Sequence, residues 1–519
     1  MSTSPTPNLT KSIQPRTQPL HTRASSAFTT YTLTVVILLA AATAWYTNGY
    51  IASLNSGIWH DEALSIFFAQ SSWLELATLL SSYEANMTLY YIALKLWSAL
   101  GWDESTLRLL TALTFLATLL VLYSTISRYF NHSVALVAVM FCCGHFFLAR
   151  YSVEIRGYMS GAFFVVCTIH CWLRSLESNK TSWWLGYGIS LVGAAYSHFL
   201  TGLIIPSLAL HFLICGPKTP KYLRSTIITH SLVAIAVSPL LTFLMNKDSG
   251  QLAWVAEPTI RALLDTIFLY AGAAPQAPDF LRRTLLILFS LLLFAGSLQL
   301  LFFKHYTDRQ RHFLSLCMLV TFMPVATLFI VSSYKPLYVE RFLLFYVPFF
   351  MTCAAIFLES LFPGRRLIYI STLLFSALSL SAASYPDRGA EDWKGVANFI
   401  QRNCDNDTSI IFITPQAQSA FNFYTNHSTK CSYDIGPYLL NVDNYLTPTN
   451  AIPSSISKSL LENRGIWLVS AHLNGNLPAL AESYRAQLSL RHNNCTKAVE
   501  FNRIRLEYYG SCDDLAKIL

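Results

Sequence analysis

The sequence predicts a mainly α-helical protein that crosses a membrane about 11 times and ends in a small soluble α/β domain. Three observations predict it. Apolar residues make up 53% of the 519 and charged residues only 12%, whereas a soluble domain has about a quarter charged. The apolar excess is laid out in long separated runs that match a hydrocarbon core of ~30 Å. After Tyr385-Pro386 the composition turns into that of a soluble chain. The net charge of +8 does not point to nucleic acid, because the basic residues sit in short loops between runs, where they orient a membrane protein.

Residues 1–28 form a polar tail without an acid. The candidate spans follow at 29–50, 107–125, 133–149, 158–175, 182–197, 201–215, 225–245, 284–303, 313–332, 342–360 and 367–384. The pair 182–197 and 201–215 is joined only by a tight turn at His198. The first run is too long for a signal peptide's apolar region and lacks a clear small-residue cleavage site, so it reads as a retained span. With a cytosolic N-terminus, the inner loops carry fourteen Lys/Arg against two acids, Glu177 and Asp308. That is the positive-inside pattern, and an odd number of spans then places the C-terminus outside.

Residues 29–385 therefore make a transmembrane domain. Its first outer loop, 51–106, has helical apolar spacing over 61–80 and 88–100 and suits helices at the membrane surface. Residues 386–519 make the outer soluble domain, with strands expected at 409–414 and 466–470 and helices at 391–403, 455–463 and 477–487. Its four cysteines, Cys404, Cys431, Cys495 and Cys512, suggest two disulfides in any of three pairings, since the spacings lack a zinc knuckle.

Three polar clusters fall in outer loops. Trp59-His60-Asp61-Glu62 follows the first span; two adjacent acids there either complement a helix N-terminus or supply a general base. Arg150-Tyr151-Ser152-Val153-Glu154-Ile155-Arg156-Gly157-Tyr158 reads either as an anion site with an internal counter-charge or as interfacial anchoring. Lys335-Pro336-Leu337-Tyr338-Val339-Glu340-Arg341 admits the same two readings. Together they suit the anionic head of a phosphate-bearing lipid. His60, His198 and Glu62 hint at a metal, but no HxxxH or HxH spacing supports one, and no metal or cofactor is expected. No Walker loop, GxGxxG or GxSxG is present, so ATP use is not indicated.

At these residues the chain resembles the polytopic glycosyltransferases of the GT-C fold. It is similar to the branch holding dolichyl-phosphate-mannose protein mannosyltransferases, lipid A aminoarabinose transferases and bacterial RgtA/B/C/D-like domains. The landmarks are Trp59-His60-Asp61-Glu62-Ala63, Asn86-Met87-Thr88-Leu89-Tyr90-Tyr91 (like N/H-P-P-L-Y-Y), Tyr151 to Tyr158 (like YSQEARPY), Arg341-Phe342-Leu343 (like RYL) and Glu391-Asp392-Trp393-Lys394-Gly395-Val396-Ala397 (like DWRGVA). The resemblance implies a polyprenyl-phosphate sugar donor and a glycan, lipid or protein acceptor on the outer face. It implies Asp61 as general base, with Glu62 beside it in the catalytic pair. His60, Asn86, Tyr90, Glu154, Arg156, Tyr158, Lys335 and Arg341 would bind or position substrate; for the arginines, anion binding has its own physical argument. Met87 and Thr88 replace the two family prolines, and Asn86 stands where the aminoarabinose branch has a lysine, which makes Lys335 a candidate substitute.

A bacterial inner membrane is the expected location, although Asn406, Asn426 and Asn494 begin glycosylation sequons. The rival reading is a lipid or glycan transporter or flippase, which would place its site near the midplane. A non-catalytic partner organising other enzymes is another. The readings part on one question: whether Asp61-Glu62 comes together with Arg156 and Arg341.

Overall fold

Lipid offers backbone groups no hydrogen-bonding partner, so each apolar run must satisfy its own N–H and C=O groups, and it does so as a helix. A computed structural model of the chain describes residues 39–82, 84–246, 255–302, 306–384, 391–404, 408–413, 415–425, 432–433, 465–471, 477–491 and 496–510. Seven of its helices are long and apolar enough to cross a membrane: Glu104–Tyr129, Tyr158–Ser178, Pro220–Leu241, Asp279–Gln299, Asp308–Ser332, Glu340–Leu361 and Arg365–Ala383. Three other expected runs form shorter helices. His132–Gly144 stops at His145, where Phe146–Tyr151 restarts. Thr181–Ser197 is followed by a 3-10 turn, Phe199–Leu203, and then Ile204–Cys215. The run at 29–50 lies partly outside the described residues.

Glu340–Leu361 is almost wholly buried at the centre of the bundle. The peripheral helices instead expose large apolar side chains such as Leu120, Leu232, Ile235, Leu291 and Leu373, as a lipid-facing surface requires. In the first loop, the helix expected over 61–80 is broken at Ser71 into His60–Gln70 and Trp73–Ser82, and Thr88–Trp97 follows.

The C-terminal region builds a five-stranded sheet in the order β2-β1-β3-β5-β4, from β1 (Thr408–Phe412), β2 (Ser432–Tyr433), β3 (Gly465–Ala471), β4 (Thr496–Phe501) and β5 (Ile504–Tyr509). β1 pairs in parallel with β2 and β3, and β5 runs antiparallel to β3 and β4. Strands β1 and β3 sit where the sequence puts them; the β4–β5 hairpin was not foreseen. The helix expected at 455–463 lies outside the described residues. Cys404 is disulfide-bonded; Cys431, Cys495 and Cys512 lie outside the described residues. Helix Pro415–Thr425 packs directly on His60–Gln70, so the soluble region reaches the first loop.

Candidate active site

The site begins at Gly57, whose φ of +70° sits in the left-handed region and where a Cβ would stand 3.1 Å from the Tyr424 hydroxyl. Both facts favour glycine. The chain then straightens through Trp59 and enters the His60–Gln70 helix with Asp61 and Glu62 in its first turn, where acids complement the helix dipole.

Adjacent in sequence, Asp61 and Glu62 face different surroundings. Glu62 is fully buried and forms a two-pronged ion pair with Arg108, whose Nη1 and Nη2 donate to its two carboxylate oxygens. The same carboxylate accepts from Ile155 N at 2.9 Å and Trp59 N at 3.4 Å. Arg108 also donates to the carbonyls of Gly57 (2.7 Å) and Val153 (3.1 Å). One ion pair thus ties together the first loop, the Glu104–Tyr129 helix and the segment at 153–155. With its acceptor capacity filled in this way, Glu62 is placed to hold the site in shape.

Asp61 is half-buried. Arg156 Nη1 donates to the Asp61 carbonyl (3.4 Å), Ser65 Oγ (3.4 Å) and the Tyr91 hydroxyl (3.2 Å). The charge of Asp61 acts on Glu154, Arg156, Tyr158 and Arg341 together. The three loop clusters therefore meet in one place. Glu154 is buried, and burial pushes its carboxyl up to about 7; Arg150 pulls it down, Glu62 and Asp61 push it up, and Arg341 pulls it down. Arg150 Nε stands 3.9 Å from one Glu154 oxygen, and the other is buried with no hydrogen-bond partner among the described residues.

The remaining expected residues divide. Tyr158 packs edge-on against Tyr151 at 5.0 Å within the cluster. Tyr90 is buried and its hydroxyl pairs with Thr111 Oγ1 at 3.2 Å, so it braces the loop against Glu104–Tyr129. Asn86 Oδ1 accepts from Phe199 N at 3.0 Å and so fixes the turn after His198. Met87 holds φ +64°, a conformation closed to proline, whose ring locks φ near −65°; this turn therefore has its own shape. Lys335 is exposed, and among the described residues it forms no hydrogen bond or ion pair with the other site residues.

The C-terminal region supports the site through Glu391 and Trp393, from the DWRGVA-like landmark, and through Tyr424, which no motif marks. His60 N donates to Glu391 Oε2 at 3.3 Å, and Trp393 Nε1 donates to the same oxygen at 2.6 Å. The Tyr424 hydroxyl accepts from Ile58 N at 2.7 Å and donates to Glu104 Oε1 at 2.8 Å. The soluble region thus grips the backbone on either side of Trp59. No group of three or more His, Cys, Asp or Glu side chains is placed to hold a metal among the described residues.

A family model described as dolichyl-phosphate-mannose-protein mannosyltransferase matches residues 86–245. No curated protein sequence matches the chain. Among solved structures, ArnT from Cupriavidus metallidurans in the apo state superposes with a TM-score of 0.59 at 11% identity, covering 95% of this chain and 99% of that one. ArnT from the same organism bound to undecaprenyl phosphate gives 0.59 at 10% identity, over 93% and 98%. At such identity the likeness is one of fold, and over nearly its whole length the chain has the GT-C fold of an integral membrane protein.

Proposed function

We propose that the protein is a membrane glycosyltransferase that moves a sugar from a polyprenyl-phosphate donor to an acceptor hydroxyl, without a metal. The observation that carries this reading is the gathering of Asp61, Glu154, Arg156, Tyr158 and Arg341 in one charged cluster beside the Glu62–Arg108 pair. ArnT, with which the chain shares its fold, has been solved with undecaprenyl phosphate bound, and this supports a lipid-linked donor here.

In the proposed reaction the acceptor oxygen attacks the anomeric carbon while Asp61 takes its proton. The bond between that carbon and the phosphate oxygen breaks, and its electron pair leaves with the phosphate. Inversion follows from a single displacement. Arg156 and Arg341 offset the growing phosphate charge, the kind of preorganised electrostatic help that dominates many enzymes. Glu62, through Arg108, keeps the loop in register, and Glu154 positions the arginines.

The positive-inside distribution supports a cytosolic N-terminus, with the site and the C-terminal region on the outer face of a bacterial inner membrane. Nucleotide sugars are scarce there, which favours a donor carried by lipid. A transporter is disfavoured by the placement of the charges in loops at one face rather than midway along the spans. Mass spectrometry of cell-envelope glycans and lipids from a deletion strain should reveal one missing sugar, restored by the wild-type gene. An unchanged envelope under conditions where the gene is expressed would refute the reading.

A further inference from the structure

His198 occupies the turn between Thr181–Ser197 and Phe199–Leu203 and is buried. Its ring is walled by Tyr158, Phe342 and Phe345 at centroid distances of 5.6, 5.1 and 5.1 Å. Leu200 N donates to its Nδ1 at 3.2 Å, so Nδ1 is an acceptor and the proton of the neutral ring resides on Nε2. Nε2 is buried and has no hydrogen-bond partner among the described residues. Burial, followed by the charges of Arg156 and Arg341, pushes the imidazole down to about 3, so the ring stays neutral across the physiological range.

Buried polar groups are nearly always satisfied, and an exception asks for an absent partner. Glu154 Oε1 and Arg156 Nε, in the same cluster, are likewise buried without hydrogen-bond partners among the described residues. A protonated Nε2 cannot ligate a metal, and the two arginines near it repel cations. What fits an N–H donor within electrostatic reach of two guanidinium groups is an anionic oxygen.

We propose that His198 contacts substrate, its neutral imidazole donating Nε2–H to a phosphate oxygen of the lipid-linked donor held by Arg156 and Arg341. This rests on the donor reading given under the proposed function. A neutral donor adds a directed hydrogen bond without adding net positive charge, so it orients the phosphate while the arginines set its affinity. The turn is held from the first loop by Asn86, which couples this contact to the segment that carries Asp61.

The test uses purified full-length protein in detergent and measures binding of undecaprenyl phosphate, with unphosphorylated undecaprenol as reference. Wild type should prefer the phosphate. His198→Ala should weaken phosphate binding by about tenfold, the scale of a hydrogen bond to a charged group, and leave undecaprenol binding unchanged. His198→Gln, whose amide N–H can reach the position of Nε2, should recover most of the loss. Ligand-free melting temperatures check that the variants are folded. Wild-type affinity in His198→Ala, or equal losses in His198→Ala and His198→Gln, would overturn the proposal. A wild type with no preference for phosphate over alcohol would instead sink the donor reading itself.

Discussion

Glu62 pairs with one arginine and Glu177 with three, and they do so in opposite surroundings. Glu62 and Arg108 are both 1% exposed and tie three backbone segments together. Glu177, 27% exposed, accepts from Arg128, Arg174 and Arg309. The Glu104–Tyr129 helix joins the two networks, with Arg108 near its start and Arg128 near its end. At 1.5 Å per residue they stand about 30 Å apart, the thickness of a hydrocarbon core. The exposed network is screened by water and interchangeable; it fastens helix ends. The buried one leaves a charge stranded if either partner is lost, and its Glu62 shares the first helical turn with Asp61. The site depends on the buried pair and not on the exposed one.

Arg108→Ala strands the Glu62 charge, and breaking a buried pair costs roughly 3–5 kcal/mol; a thermal melt should fall by many degrees, and an unchanged melt would mean the pair is not structural. Next, Arg156→Ala should weaken donor binding by about 10- to 100-fold, as loss of a charged hydrogen bond implies, with a smaller fall in the melt than Arg108→Ala, because Arg156 is also buried and bonded to the Asp61 carbonyl, Ser65 and Tyr91. Glu391→Gln and Tyr424→Phe loosen the hold on His60 and Ile58. Each should lower turnover by about tenfold or less, the scale of one hydrogen bond, while leaving donor affinity alone.

Glu154 makes the stability of the protein depend on pH. Its folded-state value is raised from the ordinary 4.5 to about 7, chiefly by burial. Between those values the folded protein keeps a proton that the unfolded chain has lost, so stability falls as pH rises through 7. Glu154→Gln has no such proton, and its melting temperature relative to wild type should climb from pH 5 to pH 8. A constant difference would show that Glu154 is not buried as described. The smallest effect is expected at Glu177→Gln, within about 1 kcal/mol, as for an exposed ion pair.

Seven of the eleven expected spans were legible as helices long enough to cross a membrane, because apolar length is dictated by lipid and survives any detail of packing. Asp61, Glu154, Arg156 and Arg341 were legible as residues because charges at the ends of apolar runs are conspicuous. Arg108 was not: a lone arginine at the start of a span looks like an interfacial anchor, and only its burial reveals the Glu62 pair. Glu391 and Tyr424 act on residues more than 300 positions earlier, a link that no local pattern carries. The β4–β5 hairpin was missed because the side chains of β4 are all exposed or half-buried, so no buried apolar run marks that strand. Trp59-His60-Asp61-Glu62 resembled a catalytic pair, yet the structure gives its two acids separate surroundings.

The most direct test of the account is Asp61→Asn, purified in parallel with wild type and assayed for sugar transfer from a lipid-linked donor supplied by the host's own membranes. Transfer should fall by about 10²–10⁴, the usual worth of a general base, with donor binding and the thermal melt preserved. Wild-type transfer by Asp61→Asn would contradict it.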